Sequence, residues 1–311
     1  MEMTISRDPR VALAALDARL TALLPPEYQN LEREVAPVSM GSAPLKMDAD
    51  GDVAWDEMWG SFCDLAMAGG PPHKGLLLEP GSAAAIAAAR TAYSAVVHEI
   101  SRGIWMVSRL EAGASADTGW IRVECQDHAM AGWLLRAIVM ENVAVRSGGS
   151  AIGLPAAPSF RLEKEIKNVI TVVAKTTHYW LGHMLRGQQR AIGRLLATME
   201  AQTPLVEPAV PGEDADVAGE EALATRIAAQ VARDTGLPAT PARYFGWLGL
   251  ECPSVRVAIW LMRALVVSNV LARREGTTLF VPLNPDTDPD GQRVTSTLAD
   301  VHRLAVVRLQ L

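Results

Sequence analysis

A chain of 311 residues, 49 % hydrophobic and 21 % charged, can build one large or two modest cores. A net charge of −6 disfavours nucleic acid as a partner, because phosphates call for a basic surface. Three cysteines, Cys63, Cys125 and Cys252, are too few and too odd in number for a disulfide framework.

The first ten residues carry Glu2, Arg7, Asp8 and Arg10 and lack the apolar stretch of a signal peptide. No apolar run approaches the roughly 20 residues that span a bilayer. A soluble cytoplasmic protein is the expectation, with no membrane and no nucleic acid among its partners. Asp8–Leu24 then reads as a helix with Val11, Leu13, Leu16, Leu20 and Leu23 apolar, stopped by Pro25 and Pro26. Asn30–Asp52 reads as irregular. Trp55–Met67 is a short apolar helix. The loop Gly69–Gly75 follows and leads into a strand at Leu76–Leu78.

Further on, the segment beginning Gly119 matches the one beginning Gly246 without a gap. The offset is 127 (246 − 119), and about fifteen of roughly 37 positions are identical, which marks an internal repeat. Shared positions include Glu124/Glu251, Cys125/Cys252, Trp133/Trp260, Arg136/Arg263, Asn142/Asn269, Arg146/Arg273, Gly149/Gly276 and Pro155/Pro282. Each copy reads as a short alternating strand, then a helix capped by Asp127 or Ser254. Gly149 or Gly276 gives a left-handed exit, and a second strand ends at proline. A parallel strand pair with a right-handed crossover is expected. Upstream, Ala95–Leu110 and Ala222–Leu237 both read as amphipathic helices. The fold expected is α/β, with α+β the alternative. It consists of two helix–strand–helix–strand units with pseudo-twofold symmetry, joined by a long central helix. The chain is expected to divide into an N-terminal segment (1–52), a first repeat (53–161), a connecting helix (162–202), a linker (203–218) and a second repeat (219–311).

The connecting stretch Leu162–Gln202 places Ile166, Val169, Ile170, Val173, Trp180, Leu181, Met184, Leu195 and Met199 on one helical arc. Lys164, Lys175, Tyr179, His183, Arg186, Arg190 and Arg194 fall opposite. One helix of up to about 40 residues, roughly 60 Å long, accounts for the pattern. A strand over Asn168–Val173 is the alternative, because Val and Ile are β-branched. Thr203–Asp214, rich in Pro, Val and acid, reads as the linker.

Candidate chemistry is sparse. His73 and His178 are the candidate acid–base residues. Lys74, Lys175, His183, Arg186, Arg136 and Arg263 are the candidate ligand-binding residues. The loop around His73 and Lys74 is neither a Walker loop nor a Rossmann fingerprint. On an α-helix, His178 and His183 stand about 140° apart and do not share a metal. Zinc spacing is absent. The run Asp286-x-Asp288-x-Asp290-Gly291 starts like a calcium loop but has Thr297 where a bidentate Glu belongs. No cofactor is specified.

Two functions compete. One is binding of an anionic small molecule or cofactor between the two halves, with or without catalysis. The other is a non-catalytic assembly or regulatory subunit that docks an acidic protein through the basic helix face and tryptophans. A homo-oligomer is compatible with either.

Overall fold

The computed structural model describes residues 8–24, 44–58, 75–210, 217–241 and 244–310. In chain order the helices are α1 (Pro9–Leu23), α2 (Ala83–Ala88), α3 (Arg90–Ser108), α4 (His128–Val139) and α5 (Lys167–His178). They continue as α6 (Arg186–Gln202), α7 (Val217–Thr235), α8 (Val255–Val266) and α9 (Gln292–Leu309). The strands are β1 (Ala112–Ala114), β2 (Trp120–Glu124), β3 (Arg146–Gly148), β4 (Ala151–Pro155), β5 (Trp247–Glu251), β6 (Arg273–Glu275) and β7 (Thr278–Pro282). Contacts divide the chain into a middle unit, Val35–Gly193, and a composite unit made of Met1–Glu34 and Arg194–Leu311. The class is α+β, with two small antiparallel sheets.

In the middle unit the sheet order is β1-β2-β4-β3, and β2 pairs with β4 antiparallel, Trp120 opposite Pro155. The expected adjacent parallel pair does not form. A two-residue turn starting at Gly149 (φ 75°) folds β3 onto β4. This return strand slots between β2 and β3, which run parallel but do not touch, a split β-α-β arrangement. The left-handed glycine thus sits in the hairpin and not at the helix exit. After α4 it is Asn142 that is left-handed (φ 57°). Its side-chain Nδ2 donates to the Gly75 carbonyl at 3.0 Å, and its carbonyl accepts from the Leu78 N–H at 2.8 Å. Asn tolerates this conformation better than most residues because a short polar side chain can bond locally. Asp127 caps α4, accepting from the Met130 N–H at 2.8 Å.

The composite unit orders its sheet β5-β7-β6, with Trp247 opposite Pro282. Asn269 is left-handed (φ 61°); its Nδ2 donates to the Thr203 carbonyl at 2.8 Å and its carbonyl accepts from the Val206 N–H at 2.9 Å. Ser254 caps α8, accepting from the Val257 N–H at 3.3 Å. The first part of the expected linker is therefore built into the fold. Val206 is buried and bridges Val270, and the Ala209 N–H donates to the Leu283 carbonyl at 2.8 Å. Buried apolar side chains outweighed the Pro and acid content of that stretch. Helix α1 lays Leu16, Leu20 and Leu23 into this core, against α8 and α9.

Glycine is required where backbones meet. Gly119 has φ +85°, and a Cβ there would lie 2.6 Å from the Gly81 carbonyl oxygen. Gly119→Ala is expected to cost about 2–3 kcal/mol, combining left-handed strain with that clash. Gly276→Ala, at φ +60° with open space around it, meets only the strain, roughly 1 kcal/mol. Denaturant midpoints of the two variants check the difference.

The stretch Leu162–Gln202 is neither one long helix nor a strand followed by a helix. A π-turn at Leu162–Ile166 runs into α5, and a second π-turn covers Tyr179–His183. Met184 is extended (φ −94°, ψ 128°), and α6 starts anew at Arg186. Residues Lys167–Thr177 are all buried, so α5 has no solvated basic arc. It packs against α3 and α4.

Candidate functional site

The site builds on the second π-turn. Thr176 and Thr177 precede it, and each hydroxyl donates back to a carbonyl four residues earlier, Val172 and Val173, at 2.7 Å. Such back-bonding competes with the helical ladder and favours a local change of pitch. The helix then widens to an i→i+5 turn, a form often found at functional sites. The wider turn changes which side chains meet. On an α-helix His178 and His183 diverge, but here their Nε2 atoms lie 3.2 Å apart and their ring centroids 5.0 Å. The α-helical expectation for this pair is overturned by the added residue in the turn.

The pair is anchored from below. Tyr179 packs its ring on His183 (5.4 Å) and on Trp133 (6.3 Å). Trp133 is fully buried and also meets Trp180 at 5.7 Å. The Gln189 amide donates to the Trp180 carbonyl at 2.6 Å, holding the start of α6 against the turn. His178 is half-buried and His183 is exposed, so the pair opens outward.

Lys175 lies on the same helix but faces inward. Its ammonium meets the Glu141 carboxylate at 2.8 Å, with side chains 3 % and 0 % exposed. The helical pattern sets it opposite the apolar arc, but α5 is buried on all sides, so that side too faces the core. Position 268, at the 127 offset from Glu141, is a serine, so the sequence match does not single this carboxylate out. Arg136 is also buried on α4, its Nη1 donating to the Gly132 carbonyl at 2.7 Å, and Arg263 is buried on α8. Arg146 and Arg273 stand on strands β3 and β6. Arg146 covers the Trp120 ring at 4.8 Å, whereas Arg273 covers Phe280 at 4.0 Å and Tyr244 at 4.3 Å. His73, Lys74 and Cys63 lie outside the described residues.

No family model, curated protein or solved structure matches this chain.

The remaining sequence signals have structural explanations. Burial pushes the Cys125 and Cys252 thiols up to about 12, so neither supplies a thiolate at neutral pH. Both carboxylate oxygens of Asp288 accept backbone N–H bonds at the start of α9, from Arg293 at 3.1 Å and Val294 at 3.0 Å. Those two bonds satisfy N–H groups in the first turn of α9 that have no partner within the helix. Helix α6 keeps part of the predicted basic face. Arg186, Arg190 and Arg194, each four residues from the next, are exposed. None forms an ion pair with a described residue. Leu181 and Leu185, 39 % and 74 % exposed, lead into the stripe. An open groove of about 590 Å³ on α3 is lined by His98, Ser101, Arg102, Trp105, Glu111 and Ala112. No helix among the described residues is long and apolar enough to cross a membrane.

Proposed function

We propose that the chain is a non-catalytic docking subunit that holds an acidic protein segment along α6. The observation that carries the reading is the separation of its cations. Lys175 is engaged by Glu141 in the core, while Arg186, Arg190 and Arg194 stand exposed on one helix face without a described acid. In a chain of net charge −6, such a stripe concentrates positive potential on one side of one helix. Leu181 and Leu185 add the apolar contact that gives such a docking face area.

We also infer that the two units descend from one duplicated ancestor, which locates the specialised part. Bonds recur at the 127 offset. Ser108 and Thr235 each accept from the N–H two residues on, at 3.2 Å, and each donates to the carbonyl four back. Tyr93 bonds the Gly119 backbone where Glu220 accepts from the Gly246 N–H. Groups common to both copies serve the scaffold. The second π-turn, placed after α5, has no counterpart within α9, and it leads into the α6 face on which the docking reading rests.

A labelled oligoglutamate, titrated against the full chain by fluorescence anisotropy, tests the docking reading. Binding should weaken with salt, since exposed charge pairs are screened. The combined Arg186→Ala, Arg190→Ala and Arg194→Ala variant should bind about tenfold more weakly, three exposed pairs at roughly 0.5 kcal/mol each. Equal binding by the variant would remove the reading. The small-molecule reading keeps one specific support, the α3 groove with His98, Arg102 and Trp105. Protection of Trp105 fluorescence from quenching by a small anion, with no effect of the arginine changes, would favour it instead.

A further inference from the structure

We propose that His178 and His183 form a two-imidazole chelate for a borderline divalent cation, with Cu²⁺ preferred over Ni²⁺ and Zn²⁺. The two Nε2 atoms stand 3.2 Å apart. Two nitrogens at about 2.0–2.1 Å from one metal lie about 3.3 Å apart in a tetrahedral site and about 2.9 Å apart at a right angle. The observed spacing falls between these. Two lone pairs at this distance repel unless something positive lies between them, either a shared proton or a cation.

The surroundings favour a chelate. The π-turn brings the two rings together through backbone geometry, so both donors already stand close before a metal binds. Tyr179 packs on the His183 ring and on Trp133, and fixes its direction. His183 is exposed, so water can complete the coordination sphere. Among the described residues no third His, Cys, Asp or Glu joins the pair. The site is therefore an open one, with two protein nitrogens and water oxygens. Imidazole donors suit Cu²⁺, Ni²⁺ and Zn²⁺, and the general order of affinity puts Cu²⁺ first. Whichever ring donates in the metal-free pair moves its proton to Nδ1 on binding, so both Nε2 lone pairs turn to the metal.

This inference is independent of the docking reading, since α6 and its arginines play no part in it. The test is a Cu²⁺ titration of the full chain, followed by electron paramagnetic resonance and by calorimetry. One equivalent should bind with hyperfine structure from two equatorial nitrogens. His183→Gln, an exposed change that spares the core, should leave a one-nitrogen pattern and weaken binding at least about tenfold, because a chelate becomes a single ligand. His178→Ala should do the same. If the wild type bound Cu²⁺ no more tightly than His183→Gln, or if its spectrum held a single nitrogen, the pair would share a proton and nothing more, and the proposal would fall.

Discussion

Trp133→Ala is expected to lower the free energy of unfolding by about 3–5 kcal/mol, and Trp260→Ala by a similar amount, the range for deleting a large buried aromatic. Both indoles are fully buried, on the matched helices α4 and α8. Trp133 meets Tyr179 and Trp180, so its loss opens a void under the histidine pair as well as in the core. A void is not refilled by neighbours that already sit in close packing, and the lining loses its dispersion contacts. Trp133→Phe keeps most of the buried surface and should cost clearly less. Equilibrium denaturant melts give the comparison. A loss below about 1 kcal/mol for either alanine variant would mean that the tryptophan is not a core residue.

Lys175→Met is expected to cost about 3–5 kcal/mol, because it takes from the buried Glu141 carboxylate the ammonium it meets. The thioether chain fills nearly the same volume, so packing is not the cause. Charge is. Both groups are all but withdrawn from water, and their 2.8 Å contact contributes to offsetting that withdrawal. Adding Glu141→Gln to Lys175→Met should restore a substantial part of the loss, since an amide is far cheaper to bury than an unpaired carboxylate. Thermodynamic cycles on the four proteins measure the coupling directly. Additive single losses, with no recovery in the double variant, would show that the two groups act separately.

How legible was all this in the sequence? Local signals translated well. The caps at Asp127 and Ser254 follow from polar residues placed ahead of apolar helices, and both form. The alternation of Trp120–Glu124 marks a real strand, and the segment matched to it in sequence, Trp247–Glu251, is a strand buried on both faces. What local pattern does not encode is who pairs with whom. The three-residue strands β3 and β6 are too short for alternation to be visible, and they decide that the sheets are antiparallel. The Leu-Leu-Glu-Pro run at 77–80 and the Leu-Val-Glu-Pro run at 205–208 did carry a signal, but their offset of 128 breaks the register of the main match by one residue. The candidate site was half legible. His178 and His183 could be chosen as polar residues in an aromatic stretch. Their meeting depends on one added residue in a helical turn, and a periodicity of 3.6 hides that by construction. Charge argues for exposure of Lys175, but Glu141, 34 residues earlier in the chain, helps to make its burial tolerable.

The placing of α1 has a consequence for the order in which a ribosome delivers this fold. Its partners α8 and α9 begin 232 residues (255 − 23) or more after its last residue. At about 5–20 residues per second, Leu16, Leu20 and Leu23 wait roughly 10–50 s for their core to be synthesised. The whole of Val35–Gly193 emerges in that interval and can settle first. During translation, then, α1 finds its place only late, and its leucine face is an open invitation to a chaperone until α8 and α9 arrive.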